Sequence, residues 1–101
     1  QSAQSQGMDQ RFIWRLSLHK DRHLYLENST QKQKQRITED QLREQLEQGV
    51  TEAQAAEVEA GLRVVVLADE SWAYGEVLQV LHILQDARVK ITLQSAPKNR
   101  K

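Results

Sequence analysis

Residues Arg63–Leu93, RVVVLADESWAYGEVLQVLHILQDARVKITL, contain the pattern that decides the fold. The nearly continuous valine and leucine of Leu62–Ala68 predict a strand at the centre of a sheet, buried on both faces. Tyr74–Ala87 then carries apolar residues at helical spacing, and Val89–Leu93 alternates apolar with polar residues as a half-exposed strand does. The segment therefore predicts a strand-helix-strand unit with parallel strands and a right-handed crossover.

A second strand pattern lies near the start of the chain. Its apolar residues fall on one face with only Ile13 out of place, and they are Phe12, Trp14, Leu16 and Leu18. His19–His23 predicts a tight turn and Leu24–Leu26 a returning strand, so this region predicts a hairpin. The polar residues 28–36 have no face to bury and predict a solvated loop.

The next segment has the features of a helix start. Thr38 is a good N-cap residue, and Gln41 completes a capping box. Leu42 follows on the predicted core side, and Gly49 predicts the end of the helix because glycine tolerates a left-handed backbone. Thr51–Ala60 predicts a second, short helix with shallow packing, since most of its apolar residues are alanine.

These elements predict an α+β domain with one mixed β-sheet, formed by the hairpin and the β-α-β unit, and two main helices packed on one face. A length of 101 residues allows one domain. Residues 1–10 are polar and rich in glutamine, which predicts a disordered tether. Residues 11–96 then form the domain, and residues 97–101 are a basic tail.

Composition argues against several classes of function. Lys and Arg together number 14, as do Asp and Glu, and a zero net charge disfavours nucleic-acid binding, which normally needs a basic excess. The absence of cysteine excludes disulfides, thiolate metal sites and thiol catalysis. No apolar run in the sequence approaches the roughly 20 residues that a membrane-spanning helix needs.

The order of these motifs resembles the periplasmic domain of the ExbD/TolR family, which are components of proton-driven stator complexes. Ala68 and Asp69 match the end of the family's central strand, and the spacing from there to Tyr74 matches the start of its helix. The resemblance is specific over Leu62–Leu93 and only topological over Phe12–Gln48.

One position departs from the family pattern. Arg88 stands where the family has a glycine after the second helix. An arginine there predicts either a cost of about 1 kcal/mol for a left-handed backbone or a different turn.

The resemblance implies an interaction domain with no catalytic residues, cofactor or metal. It implies an ExbB/TolQ-like membrane subunit, a TonB- or TolA-like energy transducer and, in the Tol branch, peptidoglycan as partners, and it implies a homodimer. It places the protein in the bacterial inner membrane with a single-pass anchor that is not in this chain, and this domain in the periplasm. The family's proton-carrying aspartate belongs to that anchor, so Asp69 is not its counterpart; it is expected to bond loop or helix N-terminal amides.

The final strand is the predicted partner-binding segment, with residues Val89, Lys90, Ile91, Thr92 and Leu93. If it lies at a sheet edge, its unpaired backbone groups invite another strand, and the resemblance implies this use in dimerisation and partner capture. The alternative is an edge already covered by the hairpin or by a second subunit.

Other candidate residues favour structural roles. Asp69 and Glu70 are adjacent acids after a buried strand, without a basic or nucleophilic neighbour in sequence to complete a catalytic set. His19 and His23 flank a turn, a position that favours solvent exposure over metal binding. Trp72 is either an exposed binding anchor or a residue packed over the start of the helix.

Two further classes of function stay open. A small-molecule-binding regulatory domain predicts a ligand pocket near Asp69–Trp72, although the sequence has no glycine-rich phosphate loop. An enzymatic function has the least support, because no pair of a nucleophile and a base can be identified in the sequence.

Overall fold

The computed structural model describes residues 12–28 and 31–95. Its elements in chain order are β1 (Ile13–Leu18), β2 (Leu24–Asn28), β3 (Gln31–Ile37), α1 (Glu39–Ala55), β4 (Arg63–Ala68), α2 (Tyr74–Asp86) and β5 (Lys90–Ser95). The strands form one five-stranded sheet in the order β3-β2-β1-β4-β5. The predicted α+β class with one mixed sheet and two main helices is confirmed. The predicted tether, residues 1–10, and tail, residues 97–101, lie outside the described residues.

The predicted hairpin is formed by β1 and β2, which pair antiparallel with Leu16 opposite Leu26. Alternation along β1 decides which side chains enter the core: Trp14, Leu16 and Leu18 are buried, whereas Arg15 is exposed. Ile13 lies on the opposite face, as the pattern predicted, and is only half-buried.

β4 lies inside the sheet, parallel to β1 on one side and to β5 on the other. The parallel pairing predicted for the β-α-β unit is therefore confirmed. The predicted burial on both faces is wrong: Val64 and Val66 are fully buried, but Val65 is half-buried and Leu67 is 36% exposed. Both helices pack on the face of Val64 and Val66, so an apolar run sits in an interior strand with one face open.

The solvated loop predicted for residues 28–36 is also wrong. Most of it is β3, which pairs antiparallel with β2 and places Arg36 opposite Tyr25 and Gln35 opposite Leu26. An edge strand is held by backbone hydrogen bonds to one neighbour, so it forms without an apolar pattern of its own.

α1 begins as predicted and ends later than predicted. The Thr38 hydroxyl accepts a hydrogen bond from the Gln41 amide at 3.1 Å, and the Gln41 side chain accepts one from the Thr38 amide at 2.9 Å. The helix continues through Gly49 to Ala55, so the predicted break and the separate helix over Thr51–Ala60 are wrong.

Gly49 is needed for close packing and not for a turn. A Cβ atom built there would lie 2.6 Å from Trp14 Cη2 and 2.9 Å from Leu62 Cδ2. Glycine therefore lets α1 approach β1 and the start of β4 at a point where any larger residue would collide with the core.

Both helices end with a left-handed residue that is not glycine. Glu57 has φ 58° after α1, and Arg88 has φ 64° after α2. In each case the residue that follows donates its amide back five positions, Val58 to the Ala53 carbonyl and Val89 to the Leu84 carbonyl. This is the Schellman arrangement, in which glycine normally avoids the penalty of a Cβ atom.

One core holds the two layers together. It consists of apolar side chains from β1, β2 and β4, from both helices and from the segments that flank them, and its fully buried large members are Leu16, Leu18, Leu42, Leu46, Leu84, Val64, Val66 and Val80. Tyr74, the first residue of α2, is 76% exposed and does not join the apolar stripe that the helical spacing assigned to it.

Candidate partner-binding edge

β5 lies at one end of the sheet and pairs only with β4 among the described strands. The hairpin was the predicted alternative that would cover the edge of β5. It lies on the other side of β4, because β1 lies between β4 and β2. Of the predicted partner-binding residues, Lys90, Ile91, Thr92 and Leu93 belong to β5, and Val89 immediately precedes it. The outer side of this strand is therefore open within the described part of the chain.

The hydrogen bonds of β5 show which residues present backbone groups at this edge. The Lys90 amide donates to the Leu62 carbonyl at 2.9 Å, so Lys90 points its backbone groups towards β4. In an extended strand both groups of one residue point the same way and successive residues alternate. Ile91 and Leu93 therefore direct their amides and carbonyls outward, where a further strand would pair.

The side chains of the same two residues offer an apolar contact beside these groups. Ile91 pairs in register with Val64, and Leu93 with Val66, so both lie on the helix-covered face of the sheet. Ile91 is half-buried, but Leu93 is 47% exposed. A strand added here would gain backbone hydrogen bonds and would cover an exposed leucine.

The opposite edge of the sheet is less suited to strand addition. β3 reads QKQKQRI and presents the cations Lys34 and Arg36. Charged residues, lysine especially, discourage edge-to-edge pairing, because an incoming strand must hold its side chains beside theirs. β5 has a single cation, Lys90, so the two edges differ in how readily they would accept a partner.

The strand end that carries the Ala68-Asp69 motif is held by backbone and side-chain bonds. The Asp69 amide donates to the Leu18 carbonyl at 2.9 Å, and the Asp69 carboxylate accepts from the Ser71 amide at 3.0 Å. Hydrogen bonds from the Ser71 side chain and amide lower the pKa of Asp69 below its ordinary value. Asp69 thus shapes the loop that leads from β4 into α2.

Trp72 in that loop packs against the core and is not an exposed anchor. It is half-buried, and its indole Nε1 donates to the His19 carbonyl at 2.6 Å. The Arg22 guanidinium lies over the indole ring, 4.9 Å from its centroid. The loop before α2 is therefore fastened to the turn between β1 and β2, which favours the packing interpretation of Trp72.

Arg22 links this turn to α2 as well. It has a left-handed backbone with φ 74°, donates to the Ser71 carbonyl at 3.1 Å and forms an ion pair with Glu76. The Glu76 carboxylate also accepts from the Ala73 amide at 2.9 Å, and this bond, followed by the nearby Arg22, lowers the pKa of Glu76. Sequence reasoning missed Arg22 and Glu76, because no spacing in the chain indicates that positions 22 and 76 meet.

The histidines of the turn do not assemble a metal site. His19 and His23 are both exposed, and no group of three or more His, Cys, Asp or Glu side chains within residues 12–28 and 31–95 could hold a metal ion. Asp21 between them accepts from the Tyr25 hydroxyl at 2.6 Å and from the His23 amide at 3.0 Å. The Tyr25 hydrogen bond is the main cause of a lowered pKa of Asp21, and it raises the pKa of Tyr25.

An open depression of about 620 Å³ lies where β1 and β4 end, on the helix-free face of the sheet. Its lining includes Asp69 but not Trp72, so it only partly matches the ligand pocket expected near Asp69–Trp72. The residues around it are Arg15, Ser17, Leu18, His19, Lys20, Glu27, Lys34, Leu67, Ala68, Asp69 and Gln94.

Comparison with known families supports the resemblance that the motifs indicated. A family model described as Biopolymer transport protein ExbD/TolR matches residues 1–97. The chain belongs to the ExbD/TolR family. No individually curated protein matches the sequence. The family match reaches far beyond Leu62–Leu93, the part in which the motifs are specific, and it includes the hairpin and α1.

Membership of the ExbD/TolR family assigns this chain to biopolymer transport. Proteins of the ExbD/TolR family are membrane-associated and non-enzymatic, and they work with membrane-embedded partners. Within the described residues, neither helix has the length and apolarity required to span a bilayer.

Proposed function

We propose that this chain is the periplasmic interaction domain of an ExbD/TolR-like stator subunit. In this role it helps to transmit the energy of the proton-motive force to a TonB- or TolA-like partner, for outer-membrane transport or envelope maintenance. An ExbB/TolQ-like subunit in the inner membrane completes the stator. The domain acts as a homodimer, and in a Tol-type system it also binds peptidoglycan. The domain itself performs no chemistry.

The observation that carries this proposal is the open outer side of β5. The outward amides and carbonyls of Ile91 and Leu93 offer hydrogen bonds to an extended partner segment, and the exposed Leu93 side chain offers an apolar contact. Backbone pairing supplies affinity in this mode of recognition, and side-chain contacts supply specificity. Family membership supports a partner drawn from the transport machinery.

The proposal is tested by titrating the ¹⁵N-labelled domain with a peptide from the periplasmic region of a TonB-type protein. Amide signals of residues 89–94 should shift, and saturation of those shifts gives the affinity. Unchanged signals at millimolar peptide would overturn the proposal that this strand captures the partner.

Two substitutions at one position separate backbone pairing from side-chain contact. Leu93→Pro removes an outward amide and leaves the pairing of Lys90 and Thr92 with β4 in place, because proline is tolerated on an edge strand when its nitrogen faces solvent. Leu93→Ala removes the side chain and keeps the amide. Leu93→Pro should abolish binding and Leu93→Ala should only weaken it, with circular dichroism confirming that both variants are folded.

Homodimerisation through the same edge predicts competition with the peptide. Sedimentation velocity of the domain alone should show a dimer that Leu93→Pro disrupts, and the peptide should lower the dimer fraction of the unmodified domain. A dimer that persists unchanged in Leu93→Pro would place the subunit interface elsewhere.

A further inference from the structure

The face of the sheet opposite the helices is uncovered in the described part of the chain, and it carries more cations than carboxylates. On the neighbouring parallel strands β1 and β4 it presents the apolar residues Ile13, Val65 and Leu67, all half-buried or exposed. The same face carries five cations and, among the strand residues, the single carboxylate of Glu27; the cations are Arg15, Lys34, Arg36, Arg63 and Lys90. We call this surface the open face.

The opposite layer of the molecule carries the balancing negative charge. The exposed acidic residues of α1 are Glu39, Asp40, Glu44, Glu47 and Glu52, against a single cation, Arg43. The zero net charge of the chain therefore conceals two layers of opposite sign, and a partner approaching the open face meets a positive potential.

Exposed apolar side chains beside charges of one sign are suited to a protein interface, because the apolar contacts exclude water and the charges select the partner. Helix α1 of a second copy of this chain does not fit, since its exposed side is acidic but offers no large apolar side chain to meet Val65 and Leu67. The occupant needs both acidic and apolar residues.

We propose that the open face binds an acidic amphipathic helix of a partner protein. β4 has six residues and spans about 20 Å, which a helix of about 13 residues matches at about 1.5 Å per residue. Its apolar side would cover Ile13, Val65 and Leu67, and its carboxylates would lie among the cations. The sheet would then be covered on both faces, as interior parallel strands usually are.

This proposal is separate from strand capture at β5, because Arg15 and Leu67 lie on interior strands. The probe is a synthetic 14-residue peptide with leucines at helical spacing and glutamates elsewhere. A scrambled peptide of the same composition and poly-glutamate are its controls. Calorimetry on the whole chain gives the affinities, and amide shifts of the ¹⁵N-labelled chain give the location.

The amphipathic peptide should bind and shift the amides of residues 13–17 and 63–67, and the scrambled peptide should bind at least about tenfold more weakly. Arg15→Glu should weaken binding about tenfold. Arg43→Glu makes the same change in net charge on α1 and should leave the affinity within about twofold. Leu67→Ser should also weaken binding without any change in charge.

Several results would overturn the proposal. Equal binding of poly-glutamate or of the scrambled peptide would reduce the open face to a non-specific cationic surface. Shifts confined to residues 89–94 would assign the peptide to the edge of β5, and no binding at millimolar peptide would leave the open face without this role. Self-association that Arg15→Glu abolishes would make a second copy the occupant.

Discussion

The two faces of the sheet carry the same types of apolar residue but bury them to different extents. The buried face stabilises the fold, whereas the partly exposed face is available for recognition. On the helix-covered face Leu16, Val64 and Val66 are fully buried. On the open face Val65 and Leu67, from the same strand as Val64 and Val66, keep part of their surface in contact with water. Because the stabilisation gained by burying apolar side chains scales with the area removed from water, the covered face supplies most of the folding free energy. The open face contributes less to stability, and it is the surface that we propose binds an acidic amphipathic helix.

The largest expected effect comes from removing the same side chain on each face. Leu16→Ala should lower the free energy of unfolding by about 3 kcal/mol, because Leu16 is 0% exposed and its loss leaves a cavity. Leu67→Ala should cost less than about 1 kcal/mol, since Leu67 is 36% exposed and water fills the space. Urea denaturation measures both. Equal costs would break the comparison and would mean that the open face is covered in solution.

A smaller effect is expected from adding a methyl group. Gly49→Ala should destabilise the domain by about 1–2 kcal/mol, because the new Cβ atom would collide with Trp14 beneath α1. Gly75→Ala in the first turn of α2 is the matched control, since nothing lies within 4 Å of its Cβ position. The control should stabilise by up to about 1 kcal/mol through helix propensity. Stabilisation by both substitutions would show that α1 is not tightly seated on the covered face.

The smallest expected effect lies at the turn that joins the covered layer to β5. Arg88→Gly should stabilise the domain by about 0.5–1 kcal/mol, because Arg88 holds a left-handed backbone with φ 64° and its side chain is exposed. Arg88→Ala keeps the Cβ penalty and should give no gain. The melting temperatures of the two variants measure the difference. A gain from alanine as large as that from glycine would assign the penalty to the arginine side chain.

Sequence patterns predicted well those elements whose signal is local. The capping box of Thr38 and Gln41 depends on residues three apart, and both hydrogen bonds are present. Alternation along β1 assigned each side chain to its face, because one buried face imposes a period of two. The strand-helix-strand unit was found for the same reason, with its parallel pairing confirmed.

The errors share a different cause. β3 was predicted as a loop because no apolar residue before Ile37 marks a buried face. Gly49 was predicted as a helix end because the sequence does not show that Trp14, 35 positions earlier, lies against it. The apolar run of β4 was predicted to be buried on both faces because hydrophobicity does not count the layers that cover a sheet.

The candidate site was only half predictable. Val89–Leu93 was selected as a partner-binding strand from its alternation and from the family resemblance, but its place at the edge depends on the strand order. The open face drew no prediction, because its cations come from four separate strands and their clustering has no sequence signature.

The sequence by itself determined the elements whose hydrogen bonds and burial period lie within a few residues: the hairpin, the capped start of α1, α2 and the strand that follows it. It also determined membership of the ExbD/TolR family. Only the tertiary structure decided that β3 joins the sheet, that α1 runs past Gly49, and that β5 is an edge. The physical reason is that the order of the strands and the packing of the helices depend on backbone hydrogen bonds and side-chain contacts between residues far apart in sequence, which no local pattern records.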